Sequence, residues 1–389
     1  MRIALVTDGI YPFVTGGMQR HSYLLCKYLS VNHSIDLYHF KKNEVSDTIK
    51  ELFPDTHLAI REFVLPYNDA KKYPFHYLFS QQYYSSQVYS AFNSVEKPDL
   101  IICKGFTGWR FLHEKKMGKL EIPVLLNFHG MEMFQKAFTI REKIVQYIFK
   151  KIVRQQLHES DYCFSYGGEI TRILTDDAGV PSQKIIEFPA CIESGQINHS
   201  PKSVVGKVQF CFIGRFERRK GIQELNQALL KLVPGNNFVF HFIGDIPPEH
   251  KVNADFIVYH GKMNTMSQIN AVLDECDVLV CPSWSEGMPN VILEAMSRGV
   301  AVAATRVGAV ETLVNASTGW IIKGNSPNHI ISALSEILSA SSDLILKKKQ
   351  NAQRHILNNF IWETKINEME RLLSDVCLKK SITGTLIRK

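Results

Sequence analysis

The chain has 389 residues, 45% hydrophobic, 21% charged and 11% aromatic, a globular composition long enough for two domains that each bury a core. Its 45 Lys and Arg against 38 Asp and Glu leave a net charge of +7, which suits phosphates, nucleic acid or an anionic membrane surface without choosing among them. No uninterrupted apolar run is long enough to span a bilayer, the opening MRIALVTDGIYPF is too short an apolar run for a signal peptide, and the eight cysteines form no Cys-x-x-Cys pair, so a reduced, cytoplasmic chain is expected.

In chain order, short β-branched or aromatic runs predict strands at RIALVT, SIDLYHF, LAIREFV, DLIICK, IPVLLNF, DYCFSY and KIIEF, with helical stretches between most of them. The stretch from Cys191 to Lys207, CIESGQINHSPKSVVGK, is polar, carries Gly, Ser and Pro and has no clear periodicity, which is a linker composition. The alternation then restarts at KVQFCFIG, FVFHFIG, FIVYH, DVLVC, VAVAAT and GWII. Cys103, Cys163, Cys211 and Cys281 lie inside these runs and read as small buried thiols. Such alternation predicts an α/β fold with two parallel sheets covered by helices on both faces. The boundary falls near residue 200, with domains at 1–198 and 199–361 and a helix and tail at 362–389.

Open α/β sheets bind ligands beyond the carboxyl ends of their strands, so the loops that follow the strands are the candidate sites. After the first strand, Gly16 and Gly17 precede a helix pattern; they read as a plain turn or as a close backbone approach to an anion at a helix N-terminus, while the Gly-x-Gly-x-x-Gly spacing of a dinucleotide site is absent. His129-Gly130 follows IPVLLNF, where the histidine reads as a hydrogen-bonded structural residue or as a catalytic one. Neighbouring residues lack metal-ligand spacing. After VQFCFIG, the cations Arg215, Arg218, Arg219 and Lys220 cluster before Gly221, either as a solvated charge run or as fixed charges for a diphosphate. After DVLVC comes PSWSEGMPNVILEAMSRG, in which Glu286 precedes a Gly287 bend, Pro289 or Asn290 can start a helix, and Glu294 lies about a turn into it. Two exposed helix glutamates would give the same spacing as two carboxylates gripping sugar hydroxyls.

This stretch resembles the Glu-x7-Glu motif of retaining glycosyltransferases of family 4, which have the GT-B fold. GRFERRKGI, HFIGD, PSWSEGMPNVILEAMSRGVAVAATRVGAVETL and GWII occur in that family's order, and Gly16-Gly17 and NFHG fit it too. The resemblance implies two Rossmann-like doubly wound domains facing across a cleft, an acceptor-binding N-terminal one and a donor-binding C-terminal one, with the last helix crossing back to the first domain. It assigns the donor diphosphate to Arg215 and Lys220, beside Gly214. Donor-sugar hydroxyls go to Glu286, with Gly287 and the backbone at Met288, Pro289 and Asn290 holding the sugar or phosphate. The nucleotide ribose goes to Glu294, and the reacting sugar and phosphate to His129, Gly16 and Gly17. The chain departs from the family pattern at PACIE, Pro189 to Glu193, and at VGAVE, where alanine replaces a glycine and Glu311 stays in register.

The resemblance implies transfer of a hexose-type sugar from a nucleotide-sugar, with UDP favoured over GDP, to a hydroxyl of a growing cell-surface glycan or glycolipid, with retention of configuration. Without an Asp-x-Asp motif, no metal is expected, nor any cofactor beyond the donor substrate, nor a nucleic-acid partner. A nucleotide-sugar hydrolase or epimerase and a catalytically silent nucleotide-sugar binding protein are the alternatives. In IREKIVQYIFKKIVRQQ, Ile140, Ile144, Ile148 and Ile152 fall on one helix face with Lys143, Lys150 and Arg154 on the opposite arc; nearby KKYPFHYLFSQQYY adds basic and aromatic residues. The stripe reads as core-facing or as interfacial, and weak peripheral contact with an anionic membrane through the basic residues, without insertion, is expected.

Overall fold

The structure, a computed structural model, describes residues 1–41, 48–67, 76–198, 200, 202–232 and 238–387, with backbone placement alone from 379 onward. Lys71, Lys72, Tyr73, Pro74 and Phe75 of the basic aromatic stretch, and His199 and Pro201 of the linker stretch, lie outside the described residues.

Among the described residues, thirteen strands form two sheets. The first holds β1 (Arg2–Val6), β2 (Ser34–His39), β3 (Ile60–Val64), β4 (Leu100–Lys104), β5 (Val124–Asn127), β6 (Tyr162–Ser165) and β7 (Ile185–Glu187), in the order β3-β2-β1-β4-β5-β6-β7. The second holds β8 (Val208–Ile213), β9 (Phe238–Ile243), β10 (Ile257–Gly261), β11 (Val278–Cys281), β12 (Ala301–Thr305) and β13 (Gly319–Ile322), in the order β10-β9-β8-β11-β12-β13. Every pairing is parallel. Central strands such as β4 and β12 are buried along their whole length, as a sheet covered on both faces requires. Two Rossmann-like domains of the GT-B type result.

Each sheet reverses its winding once, between β1 and β4 and between β8 and β11. Ligands of doubly wound sheets sit at such switch points. The helices include α1 (Gly17–Leu29), α2 (Ile140–Glu159), α3 (Ile222–Leu232), α4 (Asn290–Ser297), α5 (Ser342–Asn359) and α6 (Trp362–Ile387). The loop into α1 follows β1, and the loop into α4 follows β11, so both switch points present a helix N-terminus.

The isoleucine stripe of α2 divides. A capping box, with Thr139 accepting from Glu142 N and the Glu142 carboxylate accepting from Thr139 N, starts the helix. Ile148 and Ile152 then pack on the first-domain core, whereas Ile140 is 78% and Ile144 58% exposed, with Tyr147 beside them at 71%. A single core-facing stripe is therefore corrected to a core-facing second half and an exposed first half. Among the described residues, no single helix is long and apolar enough to cross a membrane.

The linker is tied down where it leaves the first domain. Ile192 forms a parallel bridge with Ile361, its N–H donating to Phe360 O and its carbonyl accepting from Trp362 N. From there α6 lies on the first domain, where Trp362, Met369, Leu373 and Val376 join Ile3, Leu5 and Leu25 in one core. Trp362 is fully buried and stacks on Tyr28 of α1, ring centroids 5.4 Å apart and 7° from parallel. Trp362→Ala removes this anchor, and denaturant unfolding should show a loss of about 3–5 kcal/mol in the transition of the first domain, the range for deleting a buried large aromatic.

Candidate functional site

A cavity of about 590 Å³ lies between the domains, lined from the first by Gly16, Gly17, Arg20, His21, His129 and Tyr166 and from the second by Arg219, Lys220, Lys262, Glu286–Asn290 and Glu294. Its walls approach through the backbone. A Cβ added at Gly287 would stand 1.9 Å from the His129 carbonyl oxygen, so only glycine admits this contact between domains. Beside it, Gln135 Nε2 donates to Glu286 O at 2.8 Å and Gln135 Oε1 accepts from Glu286 N at 3.1 Å. Gly221 does the same within the second domain. Its φ is +73° and a Cβ there would meet Pro282 O at 2.1 Å, which brings the 215–221 loop against the 282–287 loop.

That second contact places two cations on Glu286. Lys220 Nζ is 2.6 Å from Oε1, Ser283 Oγ donates to the same oxygen at 2.7 Å, and Arg219 Nη1 is 3.2 Å from Oε2. Burial pushes the Glu286 carboxyl up, and Lys220 and Arg219 more than offset this, holding it below the usual range. Glu294 is balanced differently. Burial raises its carboxyl, and the one opposing charge is Arg20, whose Nη1 is 2.8 Å from Oε1; the net direction is upward. The two carboxylates are thus ionic partners of different domains: Glu286 of its own, Glu294 of the facing one.

Two helix N-termini meet the same space. Neither α1, at Gly16-Gly17, nor α4, at Pro289-Asn290, carries a side-chain cap, and residues of both first turns line the cavity. Unpaired N–H groups and the positive ends of two helix dipoles make this a place for an anion.

The floor on the first-domain side is a cluster of bases. His129 Nδ1 lies 2.6 Å from Tyr166 Oη, His21 sits edge-on to His129 at 4.9 Å, and Lys104 Nζ is 2.9 Å from His21 Nδ1. Burial, then the Lys104 charge, holds both imidazoles well below their ordinary value, so they are neutral near pH 7. Burial alone lowers Lys104 to about 7.

The structure brings His129, Gly16, Gly17, Lys220, Glu286, Gly287, Met288, Pro289, Asn290 and Glu294 to one cavity. It places Gly214 and Arg215 outside the lining; the Arg215 side chain is 81% exposed and pairs with Glu217 at 2.9 Å. Arg218 turns away to a two-point pair with Glu224 of α3, while Arg219 turns in. Arg20, His21, Lys104, Gln135 and Tyr166 escaped the sequence reading. Lys104 had a signal, a charge closing the apolar run LIICK at a strand's carboxyl end; Arg20 had one too, three residues after Gly17. Among the described residues, no group of three or more His, Cys, Asp or Glu is placed to hold a metal ion.

Comparison with known proteins finds two family models in succession: residues 15–194 match Glycosyltransferase Family 4, and residues 207–340 match Glycosyl transferases group 1. An uncharacterized glycosyltransferase of Methanocaldococcus jannaschii, MJ1069, is 21% identical over 95% of this chain and 97% of its own. A putative teichuronic acid biosynthesis glycosyltransferase of Bacillus subtilis, TuaC, is 33% identical over 32% of this chain and 31% of its own. Among solved structures, Anabaena Alr3699/HepE in complex with UDP superposes with a TM-score of 0.69 at 15% identity, covering 96% of this chain and all of that one, a likeness of fold.

Lys104 gives the site a pH signature. Its folded value of about 7 lies below the ordinary 10.5, so the unfolded chain holds the proton more tightly. The resulting penalty is complete below pH 7 and fades as pH rises through 7 toward 10.5. Lys104→Met should therefore raise the melting temperature relative to wild type at pH 6, and that advantage should shrink progressively as pH rises from 7 toward 10.5, read from thermal melts across the range.

Proposed function

We infer the function from one premise: the chain belongs to the family 4, group 1 glycosyltransferases. We propose that it moves a hexose-type sugar from a nucleotide-sugar to a hydroxyl of a growing polysaccharide or glycolipid, with retention and without a required metal. The observation that carries this reading is the pairing of Lys220 and Arg219 on Glu286, beside two uncapped helix N-termini from opposite domains. A nucleoside diphosphate in that gap meets N–H groups from both sides. Polysaccharide assembly is suggested by the teichuronic acid relative, and a UDP-sugar by the UDP complex of HepE.

In this mechanism Glu286 is a hydrogen-bond acceptor for donor-sugar hydroxyls. Both its oxygens are in ion pairs and its carboxyl is held ionised, which suits neither a general acid nor a free nucleophile. Front-face substitution fits better. The glycosidic bond breaks toward the diphosphate, the acceptor hydroxyl attacks from the same face, and its proton passes to a leaving phosphate oxygen. Lys220 stabilises the charge that grows there, which is the role a divalent metal takes elsewhere. Neutral His129, oriented by Tyr166, can hydrogen-bond the sugar. Glu294 takes the ribose.

Labelled UDP- and GDP-sugars, incubated with and without a lipid-linked acceptor, test the reading. Label on the acceptor supports it; free sugar, an isomerised donor or an unchanged donor bound without turnover would replace it by hydrolysis, epimerisation or silent binding. Lys220→Ala should lower kcat by about 10²–10³, the usual cost of one preorganised donor to a developing charge. Arg219→Ala should fall with it, and Arg218→Ala should stay near wild type. A large loss in Arg215→Ala with none in Arg219→Ala would mean that Arg215 leaves Glu217 for the diphosphate when donor binds. A folded Lys220→Ala that turns over like wild type sinks the assignment.

We place the reaction at the cytoplasmic face of a membrane, through the exposed start of α2. Ile140, Ile144 and Tyr147 stand out there, with Arg141 and Lys143 in the same turns. Flotation should recover the protein with phosphatidylglycerol vesicles at low salt and release it at high salt. Equal recovery with neutral vesicles counts against the contact.

A further inference from the structure

The two domains meet by more than backbone. Arg20 leaves the first turn of α1 and crosses the cleft to Glu294 on α4, Nη1 to Oε1 at 2.8 Å, while the same nitrogen lies 3.3 Å from Met266 Sδ. Glu294 is 8% exposed and, among the described residues, has no cation of its own domain in contact. Its other oxygen, Oε2, meets no hydrogen-bond partner among the described residues. The domain that owns Glu294 thus supplies the carboxylate, and the facing domain supplies its counter-charge.

We propose that Arg20 is a positioning residue for the nucleotide: it fixes the Glu294 carboxylate so that the free oxygen grips the ribose hydroxyls only while the two domains are closed. The proposal rests on the assignment of Glu294 to the ribose. A carboxylate accepts from a vicinal diol in one plane, and a guanidinium on one oxygen sets that plane. When the cleft opens, Arg20 departs with α1 and leaves the buried Glu294 carboxylate without its counter-charge. The nucleotide therefore binds the closed form better than the open one and shifts the population toward it, before any acceptor arrives. Arg20 does not touch the reacting atoms.

The test uses UDP and GDP as probes, each alongside its analogue lacking the 2′ and 3′ hydroxyls, with titration calorimetry on the full chain. Whichever nucleotide binds wild type more tightly should bind Arg20→Met about 10- to 100-fold more weakly, the range for losing a hydrogen bond to a charged group. The preference of that variant for the ribonucleotide over its dideoxy analogue should collapse. Glu294→Gln should lose both as well, and the Arg20→Met, Glu294→Gln double variant should be no worse than either single one, since both act through one contact. Arg20→Lys should restore part of the preference. In turnover, Arg20→Met should raise the donor KM and leave kcat at saturating donor near wild type. The preference ratio is independent of the fraction of protein folded, so a partly misfolded variant still reports. An Arg20→Met that keeps the preference while Glu294→Gln loses it overturns the role of Arg20 alone. A Glu294→Gln that keeps it overturns the ribose assignment and the proposal together, as does a wild type that binds neither nucleotide.

Discussion

The Gly287 backbone resting against the His129 carbonyl is the constraint on which the site depends. It sets how far the second domain can enter the first, because nothing larger than hydrogen fits at that Cα. Gln135 then reads the Glu286 peptide with both ends of its amide, so the approach has a register as well as a limit. Once that register holds, the loop that follows β11 and the loop that precedes α1 face each other, and their two uncapped helix N-termini share one volume. Neither domain has a complete anion site alone. The contact makes one by adding half-sites.

The charges follow a division of labour between the domains. The second domain brings Lys220 and Arg219 already paired with Glu286, so its cations are fixed in place before any ligand arrives. The first domain brings groups that burial keeps neutral: His21 and His129, with the Tyr166 hydroxyl bonded to the latter. Neutral imidazoles and a phenol can hydrogen-bond hydroxyls without requiring a counter-ion. A ligand in the cleft is therefore sorted by the charge of its groups: an anion between the two helix N-termini beside Lys220 and Arg219, and hydroxyls against the neutral imidazoles and the Tyr166 phenol as well as on Glu286 and Glu294. Lys104 below the imidazoles is the exception. It is a buried amine with a histidine as its nearest partner, and it lowers the basicity of the two rings above it, which keeps them in the neutral form this sorting needs.

The architecture was legible because parallel strands buried on both faces are near-continuous apolar runs, and all thirteen runs proved to be strands. The third was read two residues early, since Leu58 and Ala59 of that run belong to the 3-10 turn His57–Ala59, and the strand begins only at Ile60. The site was legible where one loop held its parts, as in Glu286 to Glu294. It was opaque where the parts are joined only by folding. Arg20 and Glu294 are 274 positions apart, and Gln135 and Glu286 are 151 apart. Within RFERRK, spacing could not say which arginine turns inward. That is decided by the carboxylates around the loop: Glu224 draws Arg218 away, Glu217 holds both Arg215 and Arg219, and Glu286 takes the Arg219 guanidinium into the cavity. The isoleucine stripe of α2 misled for a related reason: periodicity reports that a helix has an apolar face, and only the neighbouring elements decide how many of its turns are covered.

The anchor of α6 reaches the chemistry through α1. Trp362 stacks on Tyr28 of α1 and lies edge-on to His21, ring centroids 5.7 Å apart, so the helix that returns from the second domain buttresses the same α1 that carries Gly17, Arg20 and His21. The bridge between Ile192 and Ile361 brings the two crossings of the chain together at one seam. Where the chain crosses twice at one bridge, the two walls can rotate about that line with little sliding, because the Ile192–Ile361 hydrogen bonds hold the crossings in place. Rotation about that line moves α1 against α4, which are the two elements that divide the anion site between them. Opening the cleft therefore dismantles the site, and closing it rebuilds the site with the same residues in the same order.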